Sequence, residues 1–278
     1  MLTREGTDHP LMGEMNMANR ALLVGINAYP GQPLNGCVND VNDMAQFLVD
    51  RCGFSTDDIR LLVDDRATTD GIKERLAWLV QGAAAGDRLF FQYSGHGTIF
   101  PVRNAAGRVT AQHDAICPVD FDWTRQHALI DEDLRGVFDT VPEGTEFIFV
   151  SDSCNSGDLT RAMRTYRPRF LMPPADIAWR LRTALDKKIP VTPIPHDQCG
   201  LISGCRSDQE SADAVFGGRY NGALTYYLLH ALSAAGGLAE PLAQLVPTVT
   251  KLLKANHYSQ TPQVRGPNYI IGKSFLPT

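Results

Sequence analysis

The sequence lacks the marks of several protein classes. It has no long apolar run, so no membrane-spanning helix and no membrane partner are expected. Its six cysteines are spread over 278 residues with no Cys-x-x-Cys pair, which argues against a disulfide framework and a zinc ribbon. A net charge of −5 has the wrong sign for broad nucleic-acid binding. Neither glycine-rich phosphate-binding motif follows a strand pattern, which argues against dinucleotide or P-loop chemistry.

The composition that is present is typical of a globular protein with a large core. Hydrophobic residues make up 44% and charged residues 21% of the chain, so neither disulfides nor structural metals are needed for stability. Residues 1–19 form an N-terminal extension that mixes acidic and basic side chains and has neither a secretory nor a membrane-spanning pattern. We therefore expect a cytoplasmic protein with reduced thiols, one of which could be a nucleophile.

Short apolar runs alternate with segments of helical spacing along most of the chain. This alternation predicts an α/β fold with a mostly parallel central sheet flanked by helices on both faces. The predicted strands are 20–26, 59–63, 88–94, 146–151, 200–203 and a last short one at 269–271, and the predicted helices are 37–52, 69–84, 131–139, 175–187, 224–235 and 241–254.

Two chemically reactive side chains follow two of these strands. His96 lies between glycines in residues 94–97, and Cys154 lies in the Ser/Gly-rich residues 151–157. Because parallel strands present their carboxyl ends at one edge, these side chains are expected to share a cleft, where imidazole could activate the thiol. The backbone N–H groups of Gly97 and Cys154 could then stabilise an oxyanion. The alternative is an inert buried cysteine and a hydrogen-bonded loop histidine, but their pairing favours catalysis.

Three separated motifs resemble those of a known family. The segments at 93–97, 152–157 and 203–213 resemble, in order and spacing, the His, Cys and small-subunit motifs of metacaspases, and specifically of the bacterial caspase-like peptidases called orthocaspases. The resemblance covers about residues 20–275. It implies the caspase-haemoglobinase fold and a cysteine endopeptidase.

The resemblance also implies an organisation for the chain. A large-subunit-like catalytic segment, 20–157, and a small-subunit-like segment, 198–278, would form one compact domain joined by a processing linker, 158–197. The linker is rich in Arg and Pro, which predicts an exposed segment. Asn155 stands where metacaspases usually have His, and since His96 is the assigned base, we expect this departure to tune the site only.

The resemblance further implies which residues line the pocket for the substrate side chain before the cleaved bond (P1). They are Cys37, Asp40, Ser94 and Asp152. Two partly desolvated carboxylates would hold a guanidinium and disfavour an acidic P1 residue, so we expect cleavage after Arg, then Lys. The alternatives are that Asp40 only stabilises the first turn of a helix and that Asp152 only caps a turn.

The linker offers candidate sites of self-processing in a zymogen. Exposed linkers are also Arg-rich for solubility, but these arginines lie next to the expected active site. The candidates are Arg161, Arg164, Arg167, Arg169, Arg180 and Arg182. Activation by an upstream protease in a stress or defence cascade is the other mode that the resemblance allows.

The resemblance also implies an activating Ca²⁺, a hard cation that takes oxygen ligands. The candidate ligands are Asp114, Asp131, Glu132 and Asp133, although the last three also lie where a helix N-terminus favours acids. Two other functions stay open: a catalytically idle scaffold or regulator, and a relative that cuts protein substrates after Asn or Asp.

Overall fold

The structure is a computed structural model that describes residues 17–154, 166–206 and 209–276. The strands are β1 Asn19–Gly25, β2 Ile59–Val63, β3 Arg88–Ser94, β4 Gly97–Arg103, β5 Val109–Ile116, β6 Leu129–Ile130, β7 Glu146–Asp152, β8 Arg167–Pro168, β9 Val191–Thr192, β10 Gly200–Ser203, β11 Ala212–Phe216, β12 Arg219–Gly222 and β13 Gln263–Arg265. The helices are α1 Cys37–Cys52, α2 Thr69–Val80, α3 Asp131–Phe138, α4 Ala175–Asp186, α5 Ala223–Ser233, α6 Leu242–Ala255 and α7 Asn268–Ile271.

A six-stranded sheet forms the centre of the fold, in the order β13-β10-β7-β3-β1-β2. All its neighbours pair in parallel except β13, which is antiparallel to β10. Alternate residues of β1 face opposite cores: Leu23 packs with α1, α5 and α6, whereas Leu22 packs with α2 and α3. The predicted α/β architecture, with a mostly parallel sheet covered on both faces, is confirmed.

Helix α1 follows the predicted spacing and positions one wall of the site. Val41, Met44 and Leu48 bury one face of this helix against the sheet. The helix ends at Gly53, which adopts a left-handed conformation with φ 71° that glycine accepts without strain. The helix therefore presents its first turn, with Asp40, at the carboxyl edge of β1.

Two local predictions differ from the structure. The expected strand at 269–271 is wrong, because these residues lie in helix α7, which begins directly after Pro267. A three-residue apolar run is too short to distinguish the 3.6-residue period of a helix from the two-residue period of a strand. The β4–β5 hairpin was also not expected, since Pro101 interrupts the alternation in β4 and its burial pattern is irregular.

The prediction that the linker is exposed is wrong for its middle part. Arg169 is fully buried, Phe170 and Leu171 are nearly so, and α4 packs Ile177 and Ala184 inward. Local composition could not reveal this burial, because the partners of the Arg169 charge come from other elements far along the chain. The boundaries of the proposed linker stay a prediction.

Candidate active site

The carboxyl ends of β3 and β7 carry the two predicted catalytic residues. The strands are parallel neighbours, and Ser94 is paired in register with Asp152. His96 and Cys154 therefore each lie two residues beyond a paired position, at one edge of the sheet. Both side chains are buried.

The imidazole of His96 is held in one tautomer. Its Nε2 lies 2.7 Å from the backbone carbonyl oxygen of Gln32, which can only accept a hydrogen bond. Nε2 therefore carries the proton, and Nδ1 is the basic nitrogen, buried and with no hydrogen-bond partner among the described residues. Burial lowers the pKa of His96 to about 4, so the ring is neutral at physiological pH. The Tyr29 hydroxyl supports this loop by accepting a hydrogen bond of 3.0 Å from the His96 N–H.

A segment of the chain itself lies across the strand ends. The N–H of Arg169 donates to the Ser211 carbonyl at 3.0 Å, and the preceding strand β8 pairs antiparallel with β11. The Arg169 carbonyl oxygen accepts from the N–H of Gly97 at 3.0 Å and from the N–H of Cys154 at 3.1 Å. The two expected oxyanion donors therefore converge on one carbonyl, and the peptide bond between Arg169 and Phe170 lies beside them.

The thiol of Cys154 lies in a buried environment. The N–H of Ser211 donates to its sulfur, and the sulfur of Cys205 lies 3.6 Å away. Burial raises the pKa of Cys154 well above its ordinary value, and the hydrogen bond with the Cys205 thiol raises it further. The thiol is therefore neutral while the site is filled, and its proton must pass to a base as the sulfur attacks.

The side chain of Arg169 fills a pocket with three carboxylates. One guanidinium nitrogen lies 2.7 Å from a carboxylate oxygen of Asp40 and 3.1 Å from one of Asp213, and the other lies 3.3 Å from Asp152. All four side chains are fully buried. Burial opposes the charge of Arg169, but Coulomb attraction, chiefly to Asp152, raises its pKa well above the ordinary value. The pocket therefore holds a large, flat cation among acidic side chains.

Each carboxylate is fixed from behind by the fold. Asp40 accepts from the Gly222 N–H at 2.9 Å, and burial raises its pKa to about 7 even though Arg169 acts in the opposite direction. Asp152 accepts from both the N–H and the hydroxyl of Thr225, and Asp213 accepts from two N–H groups just before α1. The carboxylates therefore keep their positions by hydrogen bonds that do not involve Arg169.

The comparisons with known proteins agree with this geometry. A family model described as "Metacaspase, peptidase C14 domain" matches residues 19–162, and a relative called Metacaspase-1, from Scheffersomyces stipitis, is 30% identical over 88% of this chain and 70% of its own length. This chain belongs to the metacaspase family. Metacaspase-7 and Metacaspase-4 of Arabidopsis thaliana are 43% and 41% identical over 51% of this chain. The chain spans little more than a third of the length of those two plant metacaspases, 36% and 34%.

Two solved structures share the metacaspase fold. The crystal structure of protein GSU0716 from Geobacter sulfurreducens superposes with a TM-score of 0.67 at 23% identity, over 94% of this chain and 99% of that one. Caspase-1 from Spodoptera frugiperda superposes with a TM-score of 0.59 at 12% identity, over 96% of this chain and 94% of that one. They support the caspase-like fold that the motifs imply.

The pocket differs from the expected set of residues in this metacaspase. Asp40 and Asp152 contact Arg169, whereas the Ser94 hydroxyl accepts from the side chain of Gln92, and burial raises the pKa of the Cys37 thiol well above its ordinary value. Asp213 was missed, although it ends the small-subunit motif at 203–213. The sequence signal that could have found Asp213 is its position as the one acidic residue of strand β11, between two alanines.

A glycine also shapes this pocket. A Cβ atom at Gly222 would overlap the Asp152 carboxylate and the Arg169 guanidinium. The absence of a side chain at this position therefore gives the guanidinium its space.

The candidate calcium ligands are not gathered into one site. Asp131 lies 2.6 Å from His113, and Asp133 pairs with Arg125 at 2.9 Å and accepts from the Ile130 N–H. The other two candidates are separated from these: Asp114 lines a cavity beside α4, and Glu132 is exposed on α3. In residues 17–154, 166–206 and 209–276, no three His, Cys, Asp or Glu side chains are placed to hold a metal ion. As placed, these residues do not fit a calcium site.

Three of the remaining candidate processing arginines have side chains placed outside the carboxylate pocket. The guanidinium of Arg167 donates to the Pro33 carbonyl, that of Arg180 donates to the Gly107 carbonyl, and Arg182 lines the cavity beside α4. Arg161, Arg164 and Asn155 lie outside the described residues.

Within the described part of the chain, no helix is long and apolar enough to cross a membrane.

Proposed function

We propose that this metacaspase is a cysteine endopeptidase that cleaves protein substrates after Arg, and more slowly after Lys. One observation carries the proposal: a fully buried arginine of the chain itself contacts three carboxylates while its carbonyl oxygen accepts from Gly97 and Cys154. Such an arrangement is what a bound substrate with Arg at P1 would need. Arg169 is therefore interpreted as an internal P1 residue.

The geometry supports a mechanism with His96 and Cys154 as the catalytic dyad. The Nδ1 atom of His96 takes the proton of the Cys154 thiol as the sulfur attacks the P1 carbonyl carbon. The oxyanion that forms accepts from the Gly97 and Cys154 N–H groups, each worth about 3 kcal/mol in other enzymes. The imidazolium then gives its proton to the leaving amine. Water, deprotonated by the same nitrogen, hydrolyses the thioester and frees the thiol.

The charges of the pocket support the preference for Arg. A guanidinium presents a planar fork that bonds several carboxylates at once, whereas the Lys ammonium is a compact point charge. An acidic P1 side chain would place a fourth carboxylate beside Asp40, Asp152 and Asp213, and the repulsion would act in a buried site. We therefore expect Asp and Asn to be poor P1 residues.

The proposal includes a zymogen that is processed at the bond between Arg169 and Phe170. The linker fills the substrate cleft, so no other substrate can enter until it leaves. Because the same bond lies next to the thiol, self-cleavage is expected at this position rather than at the other linker arginines. An upstream protease that cuts the linker would also free the site. Cytoplasmic localisation and a stress or defence cascade remain proposals that rest on the resemblance.

A peptide series that differs only at P1 tests the proposal. We expect specificity constants in the order Arg, Lys, then Asn and Asp, and no turnover by Cys154→Ala. Cys52→Ala is the matched control, because it removes another buried thiol, at the C-terminal end of α1 in the core. Equal turnover of Arg and Asp peptides would remove the basic preference.

A thiol-directed probe separates the enzyme from an idle scaffold. In the processed protein, Cys154 should react faster than Cys52 or Cys117. Equal rates for all three would favour the scaffold.

A further inference from the structure

The internal segment stays bound beyond the proposed cleavage point. The N–H of Leu171 donates to the Gly97 carbonyl at 2.9 Å, and the hydroxyl of Thr98 donates to the Leu171 carbonyl at 3.3 Å. With Phe170 as P1′, Leu171 takes position P2′ and Met172 takes P3′. The main chain is therefore held on both sides of the bond.

The side chain of Gln32 pairs with the main chain of Met172. Its carbonyl oxygen accepts from the Met172 N–H at 3.0 Å, and its amide nitrogen donates to the Met172 carbonyl at 3.2 Å. A carboxamide that satisfies the donor and the acceptor of one residue acts like a neighbouring β-strand and does not read the side chain. The backbone carbonyl of Gln32 orients the imidazole of His96. Gln32 therefore links prime-side binding to the position of the base.

The side chain at P1′ lies in an apolar environment. Phe170 is 5% exposed and packs with Cys154, Cys205 and Met172. It also lines a cavity of about 620 Å³ between α4 and the sheet, whose lining includes the apolar Ile99, Ile194 and Leu201 and, further along, the charged Arg182 and Arg265. A carboxylate in place of the Phe170 ring would lose its own hydration and the apolar and sulfur contacts of that ring, which costs free energy.

We propose that this protein has a prime-side binding site for three residues, which prefers an apolar P1′ side chain and holds the P3′ main chain through the Gln32 carboxamide. The inference rests on the proposed function, since it names the substrate class of the same site. The favoured substrate is an extended segment in which Arg precedes a large apolar residue and at least two more residues. A short substrate that ends at a leaving group after Arg misses these contacts.

Substrate modification and mutation together test the P3′ contact. Internally quenched peptides with Arg at P1 and Phe at P1′ carry an N-methyl group on the P3′ amide, on the P4′ amide, or on neither. With the processed wild-type enzyme, methylation at P3′ should lower kcat/KM about fivefold or more, the loss expected for one hydrogen bond. With Gln32→Ala it should have little further effect, because the partner is already missing. Methylation at P4′ is the matched control.

The outcomes separate this inference from the proposed function. If wild type cleaves after Arg, but P3′ methylation has no effect or costs the same in Gln32→Ala, the prime-side contact is wrong and the endopeptidase stands. A peptide with Asp at P1′ should be cleaved about tenfold more slowly than one with Phe, and equal rates would overturn the apolar P1′ preference. If wild type cleaves no peptide after Arg, the proposed function fails and the inference fails with it.

Discussion

The carboxylate of Asp213 offers a demanding test of the P1 pocket. Asp213→Asn removes one of the three negative charges around the guanidinium and the charged acceptor that lies 3.1 Å from it. A hydrogen bond to a charged group contributes about 1.5–3 kcal/mol, which corresponds to a loss of roughly 10- to 150-fold in kcat/KM. Each oxygen of Asp213 accepts from a different N–H group before α1, so the NH2 of Asn would face one of these donors and some loss of stability is expected as well.

The assay is the specificity constant of the processed enzyme for an Arg peptide, with the free energy of unfolding measured in parallel. Asp50→Asn is the matched control: it makes the same charge change at an exposed position in the last turn of α1, outside the pocket. We expect a large loss for Asp213→Asn and little change for the control. Equal losses, or a loss of activity matched by a loss of folding, would refute the assignment of Asp213 to the pocket.

Other parts of the site make separate predictions. Gly222→Ala should abolish cleavage after Arg, since the added methyl group occupies the space of the guanidinium, and Gly136→Ala, in open space on α3, is its activity control. Because burial lowers the pKa of His96 to about 4, NMR of unprocessed Cys154→Ala should find its imidazole neutral from pH 7.5 down to pH 5.5, where an imidazole with an ordinary pKa would be about 90% protonated. A His96 ring that gains a proton in this range would contradict the buried neutral imidazole. Because the candidate ligands do not fit a calcium site as placed, neither millimolar Ca²⁺ nor a chelator should change the rate of cleavage; a calcium-dependent rate would contradict this.

Periodicity was sufficient to predict five of the six strands of the central sheet, all but β13, and the strand ends that carry His96 and Cys154. Continuous apolar runs such as β3 and β7 are typical of strands buried on both faces, and the order of strands and helices then determines the edge where their loops meet. Asp40 and Asp152 followed from the motifs beside these loops. These are features that short stretches of sequence carry.

The contents of the pocket could not be predicted in this way. Arg169 and Asp40 lie 129 positions apart, and local composition around Arg169 is typical of an exposed linker. A buried guanidinium depends on carboxylates that only the tertiary fold brings near it. Asp213 and Gln32 were missed for the same reason, because each acts on a segment distant in sequence.

Identification of the new chain end in purified protein tests the central claim most directly. Mass spectrometry of wild type should find a fragment that ends at Arg169 and one that begins at Phe170. Both should be absent from Cys154→Ala and Arg169→Ala, and both should persist in Arg180→Ala. Cleavage at another arginine, or the same fragments in Cys154→Ala, would contradict the interpretation of Arg169 as the internal substrate.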